Sequence, residues 1–144
     1  MSSYIREKDF AQKKSESFFA GQLNEGTGSG DIAAAAGTFN LELANLPPDC
    51  IITGAYVMIK TASDAATSAA ATLGTTEGGS EILSSIDLTT VAQDGTFTGA
   101  SLTGTGVTLH LEIVYTGATT AVGEYIVVVE YLEYTKKTGE YTNF

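Results

Sequence analysis

Large apolar residues and polar residues alternate along two segments of this chain. In residues 39–44 and 107–115, every second residue is a large apolar one. A period of two is typical of a β-strand with one buried face and one solvated face. The first segment must end before Pro47 and Pro48, because proline has no N–H to donate to a sheet ladder. Both segments therefore predict half-buried strands.

Two further segments, residues 51–60 and 124–134, carry apolar residues at both odd and even positions. In the first segment, Ile51, Ala55, Val57 and Ile59 are predicted to lie on one face of the strand. Ile52, Tyr56 and Met58 are predicted to lie on the other face. A strand that is apolar on both faces is buried on both. We expect the opposite sheet to cover one face, and another subunit or the N-terminal segment to cover the other. This excess of apolar surface predicts oligomerisation.

The composition favours strands over helices. The chain has 21 Thr, 16 Gly and no Trp, and turn residues interrupt it about every ten positions. Segments 66–73, 82–88 and 96–102 complete a set of seven or eight short strands. Alanine alone would favour a helix in the first of these, but its interleaved Thr, Ser and Gly favour a strand. The sequence predicts an all-β, two-sheet β-sandwich of jelly-roll type, with an immunoglobulin-like order as the alternative.

The chain divides into three predicted parts. Residues 1–30 form an N-terminal arm and flexible linker, because they are charged, lack a sustained period and end in the run from Gly26 to Gly30. Residues 31–135 form the β-sandwich domain, and residues 136–144 a polar C-terminal tail. We expect the arm to lie on a neighbouring molecule or on its own domain.

The charge distribution bears on partners and location. The net charge is −10, and between residues 17 and 135 a single cation, Lys60, stands against thirteen acids. Such a body repels phosphate backbones, so we expect no nucleic acid partner. The basic ends either dock on an acidic protein surface or are simply solvated. With no apolar run long enough for a signal peptide or a membrane span, we expect a soluble protein made in the cytoplasm.

Residues that could carry catalysis are few. Cys50 and His110 are the single cysteine and the single histidine, so a nucleophile and base would require the fold to bring them together. A lone cysteine also excludes an internal disulfide. A carboxylate pair for glycoside hydrolysis can be distant in sequence, but sugar sites favour aromatic platforms and the chain lacks Trp. We expect no enzymatic activity.

No cofactor or metal site is predicted either. Structural zinc needs about four His, Cys or carboxylate ligands, more than the chain offers in any cluster. The glycine run at 26–30 has no following Gly-Lys-Ser/Thr, so it lacks the context of a phosphate-binding loop. Five acids in or beside predicted loops are candidate calcium ligands, but they lack the spacing of a calcium-binding loop. They are Asp64, Glu77, Glu81, Asp87 and Asp94.

Residues 47–76 resemble a pattern found in small virion proteins of tailed bacteriophages. The segment Pro-Pro-Asp-Cys-Ile-Ile-Thr-Gly-Ala-Tyr-Val-Met-Ile-Lys-Thr-Ala-Ser begins at Pro47, and Ala-Thr-Leu-Gly-Thr follows at 71–75. A closing strand of the type Gly-Glu-Tyr-Ile-Val-Val-Val-Glu-Tyr at 123–131 is also similar. The resemblance covers about residues 37–134 and implies a capsid decoration, or head cement, protein.

This resemblance implies a structural role and a set of partners. The protein would bind the major capsid protein on the exterior of the virion as an oligomer, often a homotrimer, and stabilise the capsid by bridging capsomers. The N-terminal arm would contact the capsid or a neighbouring subunit through Arg6, Lys8, Phe10, Lys13, Lys14, Phe18 and Phe19.

Two other functions remain open from the sequence. One is a tail-fibre or receptor-binding module, which would bind a glycan or protein of the host surface and expose a cluster of aromatic loop residues. The other is a carbohydrate-active enzyme, which would need two carboxylates that converge in a groove.

Overall fold

The computed structural model describes residues 12–26, 32–33, 36–99, 101–117 and 122–135. These residues contain strands and turns but no helix, and the strands form two sheets that pack against each other. The predicted all-β class and the β-sandwich are thereby confirmed. The jelly-roll connectivity stays a prediction.

The described part of the chain contains eleven strands. They are β1 (Gln12–Gly26), β2 (Ile32–Ala33), β3 (Gly37–Leu46), β4 (Cys50–Thr61), β5 (Ser68–Gly74), β6 (Leu83–Asp87), β7 (Gln93–Asp94), β8 (Thr96–Phe97), β9 (Ser101–Thr103), β10 (Val107–Thr116) and β11 (Glu124–Thr135).

The two sheets have different strand orders. The first sheet has the order β2-β1-β11-β4-β7, and β9 also pairs with β4. The second sheet has the order β3-β10-β5-β6-β8. All pairings are antiparallel except the two-residue pairing of β1 with β2. The alanine-rich segment is a strand, β5, as the sequence predicts.

The hydrophobic core lies between the sheets. Every second residue of the central strands faces it, including Val57 on β4, Leu111 on β10 and Val127 on β11, none more than 2% exposed. Burying a side chain of this size contributes about 1.5–3 kcal/mol. The alternation predicted for residues 107–115 is confirmed, because Leu109, Leu111 and Ile113 are buried while the residues between them are not.

One strand prediction is wrong. Residues 96–102 do not form a single strand, because β8 pairs with β6 in the second sheet while β9 pairs with β4 in the first. Gly99 lies between them with a φ of 133°, a backbone conformation that residues with side chains rarely adopt. The glycine therefore lies where the chain passes from one sheet to the other.

Part of the segment predicted as an arm is described as a strand, and the arm itself stays a prediction. Within residues 1–30, β1 runs antiparallel to β11 from Gln12 to Asn24 and is part of the first sheet. Its sequence shows no sustained alternation, so the strand depends on long-range pairing with β11 that local pattern cannot reveal. Residues 1–11 and 27–30 of the predicted arm, and the predicted tail at 136–144, lie outside the described residues.

A bulge in β4 corrects the predicted faces of that strand. The register with β11 shifts by one residue at Thr53, which lies between the paired residues Ile52 and Gly54. Ile52 is consequently buried with Ala55 and Val57, whereas Ile51 is only half-buried and lies on the opposite face. An extra residue in one strand reverses the face of the sheet on which each residue beyond it lies.

Thr103 fixes the turn between β3 and β4. Its side chain is 2% exposed, donates a hydrogen bond to the carbonyl of Pro47 (2.9 Å) and accepts one from the amide of Cys50 (3.1 Å). Its carbonyl also accepts a bond from the amide of Asp49 (2.9 Å). Because Asp49 adopts a φ of 57°, these bonds hold the turn in a conformation that the residue itself does not favour.

We expect Thr103→Val to lower the free energy of unfolding by about 1–2 kcal/mol. The shape is kept, but the acceptor for the Cys50 amide and the donor to Pro47 are lost. Urea denaturation would measure the change, with Thr105→Val as the control, since Thr105 is exposed in the following turn. An equal effect of both substitutions would contradict the assigned role.

We expect Val127→Ala to lower the free energy of unfolding by about 2 kcal/mol, because Val127 is fully buried in the central strand. The matched control is Val91→Ala, since Val91 is 64% exposed and should tolerate the change within about 0.5 kcal/mol. Urea denaturation at one fixed protein concentration gives both values. Similar losses from the two variants would show that Val127 is not a core residue.

Candidate interaction surface

An apolar patch lies on the outer face of the first sheet, away from the core. It is formed by residues of β4 and β11 that alternate with the buried ones: Tyr56, Met58, Ile126 and Val128. Met58 is 41% exposed and the other three are half-buried. These four residues are called the outer patch below. The strands β4 and β11 thus bury one apolar face against the core, and their other face forms part of the outer surface of the first sheet.

The register makes the outer patch continuous. Met58 is paired with Ile126, and Tyr56 with Val128, so the four side chains form two adjacent cross-strand rows. Directly opposite residues on one sheet face have Cβ atoms about 5 Å apart, which is close enough for contact. Ile51 and Leu132, which are also paired and half-buried, extend the apolar surface beyond one end.

Charged side chains border the outer patch at both ends. At one end, Lys60 Nζ lies 2.9 Å from Glu124 Oε2, and the Lys60 side chain is 61% exposed. At the other end, Glu130 is paired with Gly54. The Glu130 carboxylate lies over this glycine, 3.1 Å from where a Cβ would be. The surface is therefore an apolar centre with an ion pair at one end and the Glu130 carboxylate at the other.

The outer face of the second sheet is different in character. The outward residues of β10 are Thr108, His110, Glu112 and Val114, of which only the valine is apolar. The neighbouring strand β5 presents Ala70 and Thr72 there. Among the described residues, the large apolar side chains on an outer sheet face are therefore concentrated on the first sheet.

A carboxylate organises the loop between β5 and β6. Glu81 accepts hydrogen bonds from the Thr75 amide (3.1 Å) and the Thr76 hydroxyl (3.3 Å). The pKa of Glu81 is lowered by hydrogen bonds from its own backbone amide and from these two groups, and the nearby charge of His110 acts in the same direction. A Cβ at Gly74 or Gly79 would collide with this carboxylate. The arrangement shapes the loop.

A shallow groove of about 370 Å³ lies beside β5 and β6. Its wall includes Ser85, which has a φ of 57°, and Asp87, whose carboxylate accepts hydrogen bonds from the amide and hydroxyl of Thr89. These bonds lower the pKa of Asp87. The groove is lined by Thr67, Ser68, Ala69, Ala70, Ser85, Ile86, Asp87 and Thr89. This lining contains no aromatic side chain.

The structure does not bring Cys50 and His110 together. Cys50 is fully buried at the start of β4, with its thiol directed at the carbonyl of Pro48 (3.7 Å). His110 lies on the outer face of the second sheet, where it is paired with Gly74 and Glu42. A sheet therefore separates the thiol from the imidazole.

The candidate calcium ligands are spread over the surface. Glu77 and Glu81 lie in the β5–β6 loop, Asp64 follows β4, and Asp94 accepts a hydrogen bond from the amide of Asp87 (2.6 Å). Within the described ranges, no group of three or more His, Cys, Asp or Glu side chains is placed to hold a metal ion. The same part of the chain contains no helix with the length and apolar character needed to span a bilayer.

The residues predicted for arm contacts fall into two groups. Arg6, Lys8 and Phe10 lie outside the described residues. In β1, Lys13 is paired with Tyr134, Phe18 with Glu130 and Phe19 with Val129, and Lys14 lies at a register shift. Contact of these residues with a capsid or a neighbouring subunit stays a prediction.

The sequence indicated the outer patch but not its border. Apolar residues on both parities of residues 51–60 and 124–134 pointed to a second face that needs cover. The placement of Lys60 beside Glu124, and of Glu130 over Gly54, depends on the register of β4 with β11 and on its two shifts. No spacing within either segment reveals that register, although Lys60 stood out as the single cation of the body.

Comparison of the chain with protein-family models, with curated proteins and with solved structures found no match in any of the three.

We expect Glu81→Gln to lower stability near neutral pH and to lose this effect in acid. Because the folded-state pKa of Glu81 is depressed, its contribution is present above the ordinary value of about 4.5 and is lost as the pH falls through the folded pKa. Urea denaturation between pH 7 and pH 3 would show the two proteins converging.

The control for this experiment is Glu77→Gln, which removes the same charge from an exposed position of the same loop. A stability difference between the unmodified chain and Glu81→Gln that stays constant down to pH 3 would contradict the role of the carboxylate.

Proposed function

We propose that this chain is a structural virion protein that decorates and stabilises the outer surface of a tailed-phage capsid. It acts without catalysis, metal or cofactor, binds capsomers as an oligomer and has the major capsid protein and further copies of itself as partners. It is made in the host cytoplasm and is located on the exterior of the assembled virion. The resemblance of residues 37–134 to head decoration proteins implies a trimer.

The observation that carries this proposal is the outer patch. Met58 exposes 41% of its surface at the centre of a sheet, beside the half-buried Tyr56, Ile126 and Val128. Contiguous apolar surface of this kind marks sites of protein association. The patch is built on two central strands, so it is a rigid surface. A protein that works as a layer on a larger assembly requires such surfaces.

The segment that resembles decoration proteins coincides with the elements that build the patch. Residues 47–76 comprise the turn held by Thr103, all of β4, and β5. The closing segment at 123–131 lies mainly in β11, the partner of β4. The resemblance therefore falls on the strands that supply the outer patch, which supports a shared use of this surface.

The absence of converging chemistry among the described residues fits a structural role. The one thiol is buried in the core, the one imidazole lies across a sheet from it, and the carboxylates of Glu81 and Asp87 bond to their own loops. The thiol and the two carboxylates each have a local structural contact. We therefore propose no reaction for this protein.

The receptor-binding alternative is less well supported. A glycan site is expected to present aromatic side chains as platforms, but the groove beside β5 and β6 is lined by small and polar residues. The large apolar side chains instead lie on a flat sheet face, the form typical of a contact with another protein.

The proposal predicts saturable binding to capsids. The purified full chain is mixed with expanded empty shells assembled from the major capsid protein of the same genome, and bound protein is measured by co-sedimentation. We expect a fixed number of copies per shell and a higher temperature of shell rupture. Shells that neither bind the chain nor gain stability would contradict the function, and binding to host cells instead would favour the receptor-binding module.

The contribution of the arm is tested in the same assay with Arg6→Glu combined with Lys8→Glu. We expect shell affinity to fall about tenfold, because each lost charge contact contributes on the order of 1 kcal/mol or less and two are reversed. The matched control reverses two charges at the other terminus, Lys136→Glu with Lys137→Glu. Equal losses in both variants would indicate general attraction by charge and no specific arm contact.

A further inference from the structure

We propose that β3 of a second copy of this chain pairs with the open edge of β3, so that the second sheets of the two copies join into one. The two β3 strands run antiparallel about a twofold axis perpendicular to the sheet. The inference deepens the self-association included in the proposed function and rests on that part alone. It is tested without a capsid, so its failure can be told apart from a failure to bind one.

The strand β3 is a long edge strand without the usual protection against pairing. It has ten residues and forms one end of the second sheet, where it pairs with β10. The other sheet ends, β2, β7 and β8, are strands of two residues each. Lysine and proline commonly protect open edges, and β3 contains neither. The strand β1 is also open beyond its two-residue pairing with β2, but it carries Lys13 and Lys14.

One hydrogen bond shows which way the backbone groups of the second sheet point. The Leu88 amide donates to the carbonyl of Ala69 (2.9 Å), which lies opposite it in the register of β5 with β6. Bonded and non-bonded pairs alternate along antiparallel strands, so Ala70 and Thr72 bond to β10 on the other side. The residues of β10 opposite these two therefore bond to β5, and the residues between and beside them bond to β3.

Three residues of β3 consequently direct their amides and carbonyls to the open edge. Leu111 and Ile113 are residues of β10 that bond to β3, and they lie opposite Leu41 and Phe39. The residues on either side of Leu41 and Phe39 point the other way, and a register shift at Leu43 ends this regular stretch. The three residues are Thr38, Asn40 and Glu42. Their backbone groups are available to an added strand.

A twofold axis at Asn40 gives the register with the most bonded pairs. Asn40 of one copy lies opposite Asn40 of the other, and Thr38 of each copy lies opposite Glu42 of the other. All are bonded pairs, in which both residues exchange their backbone hydrogen bonds. A register centred on Phe39 or Leu41 has fewer such pairs, and one centred on Glu42 places two acids opposite each other. The number of bonds and the charge of Glu42 therefore select the axis at Asn40.

The same pairing covers apolar side chains at the side of the core. Phe39, Leu41 and Leu43 pack against the core but are only half-buried. Phe39 and Leu41 form the non-bonded pairs of this register, in which opposing side chains lie closest. Phe39 of each copy is thus placed beside Leu41 of the other. An added strand must supply apolar residues at this spacing, and β3 itself does so.

The direction of the strands also sets the number of copies. A twofold axis that relates two parallel strands of one sheet runs along them and turns one core face outward. The antiparallel arrangement keeps both core faces on the same side. It uses the same edge of both partners, so the contact closes at two copies. The geometry therefore favours a dimer over the trimer implied by the family resemblance.

Charges introduced at Thr38 test this register. Thr38→Glu and Thr38→Lys are made in the full chain, and dissociation constants are measured by sedimentation equilibrium. We expect the unmodified chain to dimerise. Thr38→Glu should pair about tenfold more weakly, because two acids then lie opposite each other at two contacts. Thr38→Lys should pair more tightly, because each new base lies opposite Glu42 of the other copy.

The matched controls are Val114→Glu and Val114→Lys. Val114 lies opposite Thr38 on β10, on the same outer face, about 4.8 Å further from the open edge. These variants make the same changes of net charge, so the difference between the two positions isolates the contact at the edge. Thermal unfolding shows that each variant is folded.

Backbone amide exchange of the unmodified chain gives a second readout. The amides of Thr38, Asn40 and Glu42 should exchange more slowly as the chain concentration rises, whereas those of Phe39 and Leu41, which bond to β10, should not change. The proposal is overturned if the chain is monomeric or trimeric, which would leave the edge to another protein or to another arrangement. It is also overturned if the dimer responds equally to charges at Thr38 and Val114, which would assign the pairing to another surface.

Discussion

The position of β11 between β1 and β4 is the constraint on which the rest of this structure depends. The strand pairs with both neighbours over most of its length, so the last strand of the chain joins the first strand, β1, to β4. Its residues Tyr125, Val127 and Val129 are buried against the second sheet. A strand in this position has its backbone satisfied on both edges, and only its second face is left for contacts outside the fold.

That second face connects the fold to the proposed function. Ile126 and Val128 could be polar without loss to the core, yet they join Tyr56 and Met58 in a continuous apolar surface. The many acids elsewhere give the chain a net charge of −10, which discourages unspecific association. Among the described residues, the outer face of the first sheet thus carries a continuous apolar surface with charged side chains at its two ends.

The class of fold was predictable from local pattern, but the organisation of the sheets was not. Period-two alternation at 107–115 and apolar runs at 51–60 and 124–134 identified strands because side-chain direction alternates with backbone geometry. The strand β1 carries no such pattern and exists through its pairing with β11. The bulge at Thr53 reversed the expected places of Ile51 and Ile52, and Gly99 divided a predicted strand between two sheets. Pairing and register are long-range properties, so Lys60, Glu124 and Glu130 could not be related to the outer patch from sequence alone.

The account's central claim is that the outer patch is covered when the protein is assembled, and the thioether of Met58 reports this directly. Oxidation of Met58 by dilute hydrogen peroxide would be followed by mass spectrometry of digested protein for the free chain and for the chain bound to capsid shells, with an added methionine peptide as the reference. The account predicts that Met58 oxidises readily in the free chain and several-fold more slowly on the shells, while the reference does not change. An oxidation rate for Met58 that is the same in both states would contradict the claim.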